Sequence, residues 1–547
     1  MSSEAPSTSD QLTRQLPDGP ARPRVGSRRV AGVHPAIWVP SLVVAAAMLL
    51  PAIYLVVATA DLPLARIVEI ATDGQTLRLA GRTLLLGTSV TLACLVLGVP
   101  LAWLTVRSDL PARRFFAIAT GLPLVIPTFV GAFALVAAFA RGGLIEEWFG
   151  LVPPSPYGFW GAFAALTLFS FPYVLITVQS GLRGIDPSLE EASRLLGNGP
   201  VRTFFKVTLP QLRASAAAGG LLVMLYVFSD FGAVSILRYS TFTRGLFLQY
   251  RSAFDRSPAA LLGLLLVGLT VAVIVFEARV ARDRGGQFGA RGPTRPAPAV
   301  PLRAWRWPAV GLCVLVLLVG LVTPVTVIVF WLVRGVAAGD QLNVALGPAW
   351  RSILSAGLGA LAAVAAALPI AIWSSRSSSR VARLVERAAF TGYALPGIVV
   401  ALALVFFGIR LATPLYQTLA MLVFAYVVLF LPQAVGAIRT SLIQVNPNVE
   451  AAARVLGSDR LATLRRVTLP LARRGALAGG ALVFLTALKE LPATLLLAPT
   501  GFDTLSTRVW SATEEAFYTR ASVPALLLIL LGSVPLAVAM IRERRER

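Results

Sequence analysis

Apolar stretches of about twenty residues recur along the whole chain, and this removes most of fold space. A helix of about 20 residues crosses the hydrocarbon core of a bilayer. Within lipid every backbone N–H and C=O must be satisfied internally, which leaves only helices and closed barrels. The runs are continuously apolar and do not alternate, so they read as helices. Composition agrees: 56% of residues are hydrophobic and 14% charged, against about 25% charged in soluble domains. Twelve segments qualify: 37–58, 80–106, 115–140, 159–180, 213–237, 258–280, 308–333, 350–374, 388–409, 413–436, 474–497 and 521–541. The expected fold class is an all-α polytopic membrane protein with about twelve transmembrane helices.

The net charge of +23 is the next constraint. Almost all of the basic residues are arginines; the lysines are Lys206 and Lys489. If the chain starts in the cytoplasm and alternates sides, nearly all of the positive excess falls on inner segments. That is the positive-inside pattern, and it sets both termini in the cytoplasm. Nucleic acid is therefore not needed to explain the charge. Residues 1–33 are rich in Ser, Pro and Arg. They are expected to be a disordered cytoplasmic tail, because they lack the apolar stretch of a signal peptide. Residues 282–303 are rich in Gly, Pro and Arg and read as a cytoplasmic linker.

Catalytic chemistry finds little to work with. Cys94 and Cys313 each lie inside an apolar run, with no spacing suited to a disulfide framework or a metal. His34, the single histidine, precedes the first run and reads as interfacial. A phosphate-binding loop needs Gly followed by Lys and Ser or Thr, whereas Lys206 follows Phe205 and Lys489 follows Leu488. The chain is thus expected not to be an enzyme.

One polar segment occurs twice. EEASRLLGNGPVRTFFKVTLP, from Glu190 to Pro210, is echoed by EAAARVLGSDRLATLRRVTLP, from Glu450 to Pro470. At an offset of 260, Pro187 meets Pro447, Gly197 meets Gly457, and Val207-Thr208-Leu209-Pro210 meets Val467-Thr468-Leu469-Pro470. Gly219-Gly220 likewise meets Gly479-Gly480. The chain reads as two six-span repeats, 34–281 and 304–547. An even number of spans gives both the same orientation, related by an axis along the membrane normal. Within each copy, Asp186 or Asn446 can cap a short helix with proline in its first turn. Glycine ends that helix, and a second, basic helix runs into Leu-Pro. The small residues Ala192, Ser193, Ala452 and Ala453 suit close approach of another surface, and the flanking Glu and Arg residues offer charges to it. An ordinary cytoplasmic loop would not need matched copies in both halves.

The pattern Glu191-Ala192-Ser193, Gly197, Val207 and Leu209-Pro210 resembles the signature of binding-protein-dependent ABC importer permeases. The second copy keeps Glu450, Ala452, Gly457, Leu469 and Pro470, but places Ala451 where the first has Glu191. The resemblance implies that Glu190, Glu191, Ala192, Gly197, Leu209 and Pro210, with Glu450, Ala451, Ala452, Gly457, Leu469 and Pro470, form two coupling helices. It implies two separate ABC ATPase subunits, which use the ATP, and an extracytoplasmic substrate-binding protein. It implies no cofactor on this chain, and a place in the bacterial plasma (inner) membrane. The stretches SDFGAVSILRYSTFTRGLFLQY and KELPATLLLAPTGFDTLSTRVW resemble fused permeases of ferric-iron importers. Thiamine, a polyamine or another small solute is the alternative cargo. A secondary transporter is the rival class; it would need a coupling-ion site and no matched docking helices.

Asp230, Lys489 and Glu490 fall within apolar segments, with Asp230 matching Glu490 across the repeat. Ionisable residues at depth usually face a cavity or a partner. Two readings are open. Either they flank the translocation path, with Lys489 neutralising Asp230 across the pseudo-twofold axis, or they sit at helix ends in the headgroup region.

Overall fold

A computed structural model of the chain describes residues 35–60, 62–252, 257–282, 299–339, 345–377, 379–445 and 448–545. Among the described residues the architecture is helical, apart from an isolated parallel bridge between Ser108 and Val300. Among the described residues, nine helices are long and apolar enough to cross a membrane: Pro35–Ala60, Gly74–Arg107, Phe159–Gly184, Val201–Ser229, Pro258–Arg279, Arg303–Ala337, Leu346–Arg376, Leu419–Gln444 and Leu461–Leu488. Two further pairs of helices pass the same test taken together but are sharply bent at a short break, and Tyr518–Ser533 is a shorter apolar helix. Together these account for the twelve expected segments.

The third and ninth segments, 115–140 and 388–409, are not the continuous helices expected. Arg113–Val125 meets Thr128–Ala138 at 85°, and Arg380–Ala394 meets Gly397–Arg410 at 105°. Proline is the cause in both. It lacks an N–H to continue a helix, and it biases the residue before it to extended backbone. Ile126 before Pro127 has ψ 119, and Leu395 before Pro396 has ψ 111. The fifth span of each repeat also differs from expectation. Each begins about one helical stretch earlier, and they end at Ser229 and Leu488 instead of reaching 237 and 497. Short helices, Gly232–Ile236 and Pro492–Leu497, follow each end.

Small residues set the packing inside each repeat. A side chain at Gly219 would come within 2.9 Å of the Val174 Cα, and one at Gly479 within 3.0 Å of the Ala434 Cα. The duplicated glycine pair therefore lets the fourth and fifth spans approach backbone to backbone, as in membrane helix packing generally.

The repeats exchange their first spans. Pro35–Ala60 lies on the second repeat, where the Tyr54 hydroxyl donates to the Phe406 carbonyl at 3.2 Å. Arg303–Ala337 lies on the first, where Trp331 Nε1 donates to the Ala137 carbonyl at 3.0 Å. The expected tail, 1–33, and most of the linker lie outside the described residues. The described end of the linker is tied down: Val300 N donates to the Arg107 carbonyl at 2.8 Å, and Asp109 N to the Val300 carbonyl at 3.1 Å.

Candidate functional site

The two copies of the repeated segment fold alike, each between the fourth and fifth spans of its repeat. In the first, the Asp186 carboxylate accepts from Ser188 N at 2.9 Å and opens the helix Pro187–Leu195. Gly197 N donates to the Arg194 carbonyl and Asn198 N to the Ser193 carbonyl, with Gly197 at φ +80. This is the Schellman end, which needs a left-handed residue that glycine adopts without strain. The second copy, Asn448–Val455, ends the same way. Gly457 N donates to the Arg454 carbonyl and Ser458 N to the Ala453 carbonyl, with Gly457 at φ +87. The expected cap at Asn446 and Pro447 lies outside the described residues.

Each segment then re-enters the membrane through a wide π turn, Phe204–Thr208 or Leu464–Thr468. Leu209 N bonds to the Phe204 carbonyl and Leu469 N to the Leu464 carbonyl, five residues back. Pro210 and Pro470 follow at once and have no N–H to give. The repeated Leu-Pro thus marks where an α-helical register is re-established.

The glutamates of the motif do not all face outward. Glu190 is buried. Its carboxylate accepts from the Thr208 hydroxyl at 3.0 Å and lies 3.8 Å from Arg107 Nε and 3.9 Å from Arg194. Arg107 in turn donates to the Leu182 and Ile185 carbonyls. The second repeat repeats this triad. Glu450 pairs with Arg376 at 2.9 Å and accepts from the Thr468 hydroxyl at 3.1 Å. Ser193 is also turned in, bonded to Thr203 and Asn198. So the expectation that Glu190 and Ser193 offer themselves to a partner is corrected: both hold the short helix to its own repeat. Glu191, Ala192, Ala451 and Ala452 are exposed.

Sequence reasoning missed the most exposed apolar residues of the segment. Leu195 and Leu196 are 89% and 83% exposed, and Val455 and Leu456 are 87% and 86% exposed. The signal was there as an aliphatic pair directly before the cap glycine in both copies. Leu209 and Pro210 are half-buried, and Leu469 and Pro470 are exposed.

Asp230, Lys489 and Glu490 sit where the fifth spans end. The Asp230 carboxylate accepts from the Thr128 hydroxyl at 2.6 Å and from the Ala233 and Val234 amides at 3.0 and 3.3 Å. Glu490 accepts from Ala493 N at 3.0 Å. A side chain at Gly397 would come within 2.9 Å of the Glu490 carboxylate. Thr128 and Gly397 begin the second halves of the broken third spans. The carboxylates therefore lie level with the breaks in the third segments. Lys489 does not neutralise Asp230: its Nζ donates to the Leu124 carbonyl at 3.0 Å. Tyr226 approaches from the fifth span, its hydroxyl 3.2 Å from Thr128. Among the described residues no group of three His, Cys, Asp or Glu could hold a metal ion.

Comparison with known proteins bears on this arrangement. The profile of a family described as "Binding-protein-dependent transport system inner membrane component" matches residues 94–285 and again 359–547. A Fe(3+)-transport system permease protein of Haemophilus influenzae is 34% identical over 92% of this chain and 97% of its own length. A molybdenum transport system permease protein of Escherichia coli is 31% identical over 35% of this chain and 88% of its own. A sulfate transport system permease protein of Escherichia coli is 28% identical over 48% of this chain and 97% of its own.

Proposed function

The chain belongs to the family of binding-protein-dependent transport system inner membrane components, and from that premise we propose that it is the fused permease subunit of a ferric-iron importer driven by separate ATPases. As a permease it is a multi-pass inner-membrane protein and not itself a catalyst. The observation that carries the coupling role is the matched pair of short helices, each ending in an exposed aliphatic pair before a left-handed glycine. Two sites of one shape suit two copies of one ATPase subunit. ATP is spent on those subunits, and this chain holds no cofactor. The positive-inside charge pattern supports a cytoplasmic position for the helices and for both termini.

The work of this chain is then mechanical. ATPase closure draws the two short helices together. Each is held to its repeat by a Glu–Arg–Thr triad, Glu190 with Arg107 and Thr208, or Glu450 with Arg376 and Thr468. The pull reaches the second and fifth spans of each repeat through those contacts. Such a device works only if the ATPase pair binds one permease state more tightly than the other. At the other end of the fifth spans, Asp230 and Glu490 meet the broken third spans, and we place the translocation path there.

The relative that spans 92% of the chain supports ferric iron as the cargo. An oxyanion is the second reading, favoured by the molybdenum and sulfate relatives over part of the chain. The test is uptake of labelled ferric iron, molybdate, sulfate and thiamine by cells lacking this gene, with and without complementation. Restoration of ferric uptake alone supports the iron assignment. Restoration of another solute without iron overturns it and leaves the permease assignment standing.

A further inference from the structure

A cavity of about 280 Å³ opens between the repeats, beyond the Ser229 end of the fifth span of the first repeat. Arg238, Arg244 and Arg251 of the first repeat line it, with Tyr157, Ser235 and, from the second repeat, Glu514. Its size falls just short of ordinary small-molecule sites, which run from about 300 Å³, and suits a ligand of a few heavy atoms. Three guanidinium groups therefore share a small space with a single carboxylate.

Arg244 is half-buried there, while Arg238 and Arg251 are exposed. Arg238 lies 4.6 Å over the Tyr157 ring, and its left-handed backbone, φ +55, closes the helix Gly232–Ile236, with Arg238 N donating to the Ser235 carbonyl and Tyr239 N to the Val234 carbonyl. Arg244 donates to the Ser240 hydroxyl at 3.1 Å. Burial, with Arg238 beside it, lowers the Arg244 pKa from its ordinary value. Arg251 stands 4.0 Å from Glu514. The Ser235 hydroxyl oxygen is buried with no hydrogen-bond partner among the described residues.

The fold does not require this charge. Phe242 N bonds to the Thr83 hydroxyl just as Leu505 N bonds to the Ser352 hydroxyl, so the helices that follow correspond position by position. Arg244 then corresponds to Thr507 and Arg251 to Glu514, while Arg238 meets Ala498 at the general offset of the repeat. The second repeat builds the same helix with none of the three arginines. Three guanidinium groups against one carboxylate leave a positive excess, which raises the local concentration of counter-ions. Guanidinium forks match oxyanions in geometry as well as charge.

We propose that this cavity is a binding site for a small multivalent oxyanion at the mouth of the permease, held by Arg238, Arg244 and Arg251 with the Ser235 hydroxyl as a further donor. The site goes beyond the proposed transport function and does not depend on which cargo is carried. The anion can come free from solution or together with the cargo, and the chemistry of recognition is the same.

Equilibrium dialysis of labelled inorganic phosphate against the full chain, in a maltoside micelle cleared of phospholipid, tests this. Wild type should bind phosphate, and chloride at equal ionic strength should not displace it. Arg238→Gln/Arg244→Gln should weaken binding at least tenfold. Glu514→Gln, which removes the competing carboxylate, should tighten it roughly threefold and guards against misfolding of the double variant. Binding that is the same with and without ferric ion marks a free-anion site; binding only with ferric ion marks an anion that travels with the cargo. Absence of phosphate binding to wild type, or binding unchanged in both variants, overturns the proposal. Loss of capture of an acidic binding protein by the arginine variant, with no phosphate binding by wild type, overturns it in favour of a protein-docking surface.

Discussion

Glu190→Gln should loosen the first short helix more than Glu450→Gln loosens the second. The two triads match in chemistry but differ in burial. Arg107 and Glu190 are 3% and 7% exposed in their side chains, against 18% and 12% for Arg376 and Glu450. Removing one partner of a buried pair leaves the other charge uncompensated and costs about 3–5 kcal/mol. Arg107 keeps the Leu182 and Ile185 carbonyls after the change, so the lower end, about 3 kcal/mol, applies. That is roughly a 150-fold rise in the opening equilibrium of the helix, at about 1.4 kcal/mol per decade. The Glu450 pair, at 18% and 12%, is a little more open to water, so its loss should cost less than that of Glu190. Amide hydrogen exchange over 187–199 and 448–459 in the purified protein reads both. The paired change Arg107→Leu/Glu190→Leu should recover much of the protection, because replacing both charges removes the desolvated orphan. Equal exchange in the two glutamine variants, or no recovery in the paired one, would refute the reasoning.

Other consequences follow from the same geometry. Gly197→Asn should transport better than Gly197→Val at equal abundance: a side chain there meets nothing within 4 Å, so the left-handed φ, which asparagine tolerates and valine does not, decides the outcome. Replacing Leu195 and Leu196 by serine should leave permease stability within about 0.5 kcal/mol. It should still weaken ATPase-subunit pull-down by tenfold or more, since each leucine buried on docking contributes about 1.5–3 kcal/mol. Asp230→Asn should keep the fold, because asparagine caps helices about as well as aspartate, yet slow transport; transport at the wild-type rate removes Asp230 from the path.

Much of this was legible in residues alone. The twelve apolar segments follow from the length needed to cross a bilayer, and the duplication at an offset of 260 is visible in Gly197, Gly457 and the two Leu-Pro pairs. The cap glycines could be assigned because a left-handed helix end has so few alternatives. The breaks at Pro127 and Pro396 were harder to see. Prolines also lie inside unbroken helices, at Pro100, Pro172, Pro369 and Pro432, so a proline in an apolar run does not by itself say whether the span bends. The direction of Glu190 was illegible for a different reason. It depends on Arg107, which is 83 positions earlier in the chain, and only tertiary packing brings the end of the second span beneath the short helix. Lys489 shows the same limit: its partner is a backbone carbonyl, Leu124, in the other repeat, and a carbonyl leaves no mark in the pattern of side chains.

ATP-dependent uptake of labelled ferric iron into proteoliposomes, with the ATPase and binding protein supplied, tests the central claim most directly. The comparison is wild type against Gly197→Asp/Gly457→Asp at equal incorporation. Uptake by wild type that is lost in the variant, with the variant still folded, is the result expected if the paired helices carry the ATPase stroke to a ferric cargo. Equal ATP-driven uptake by both would contradict it.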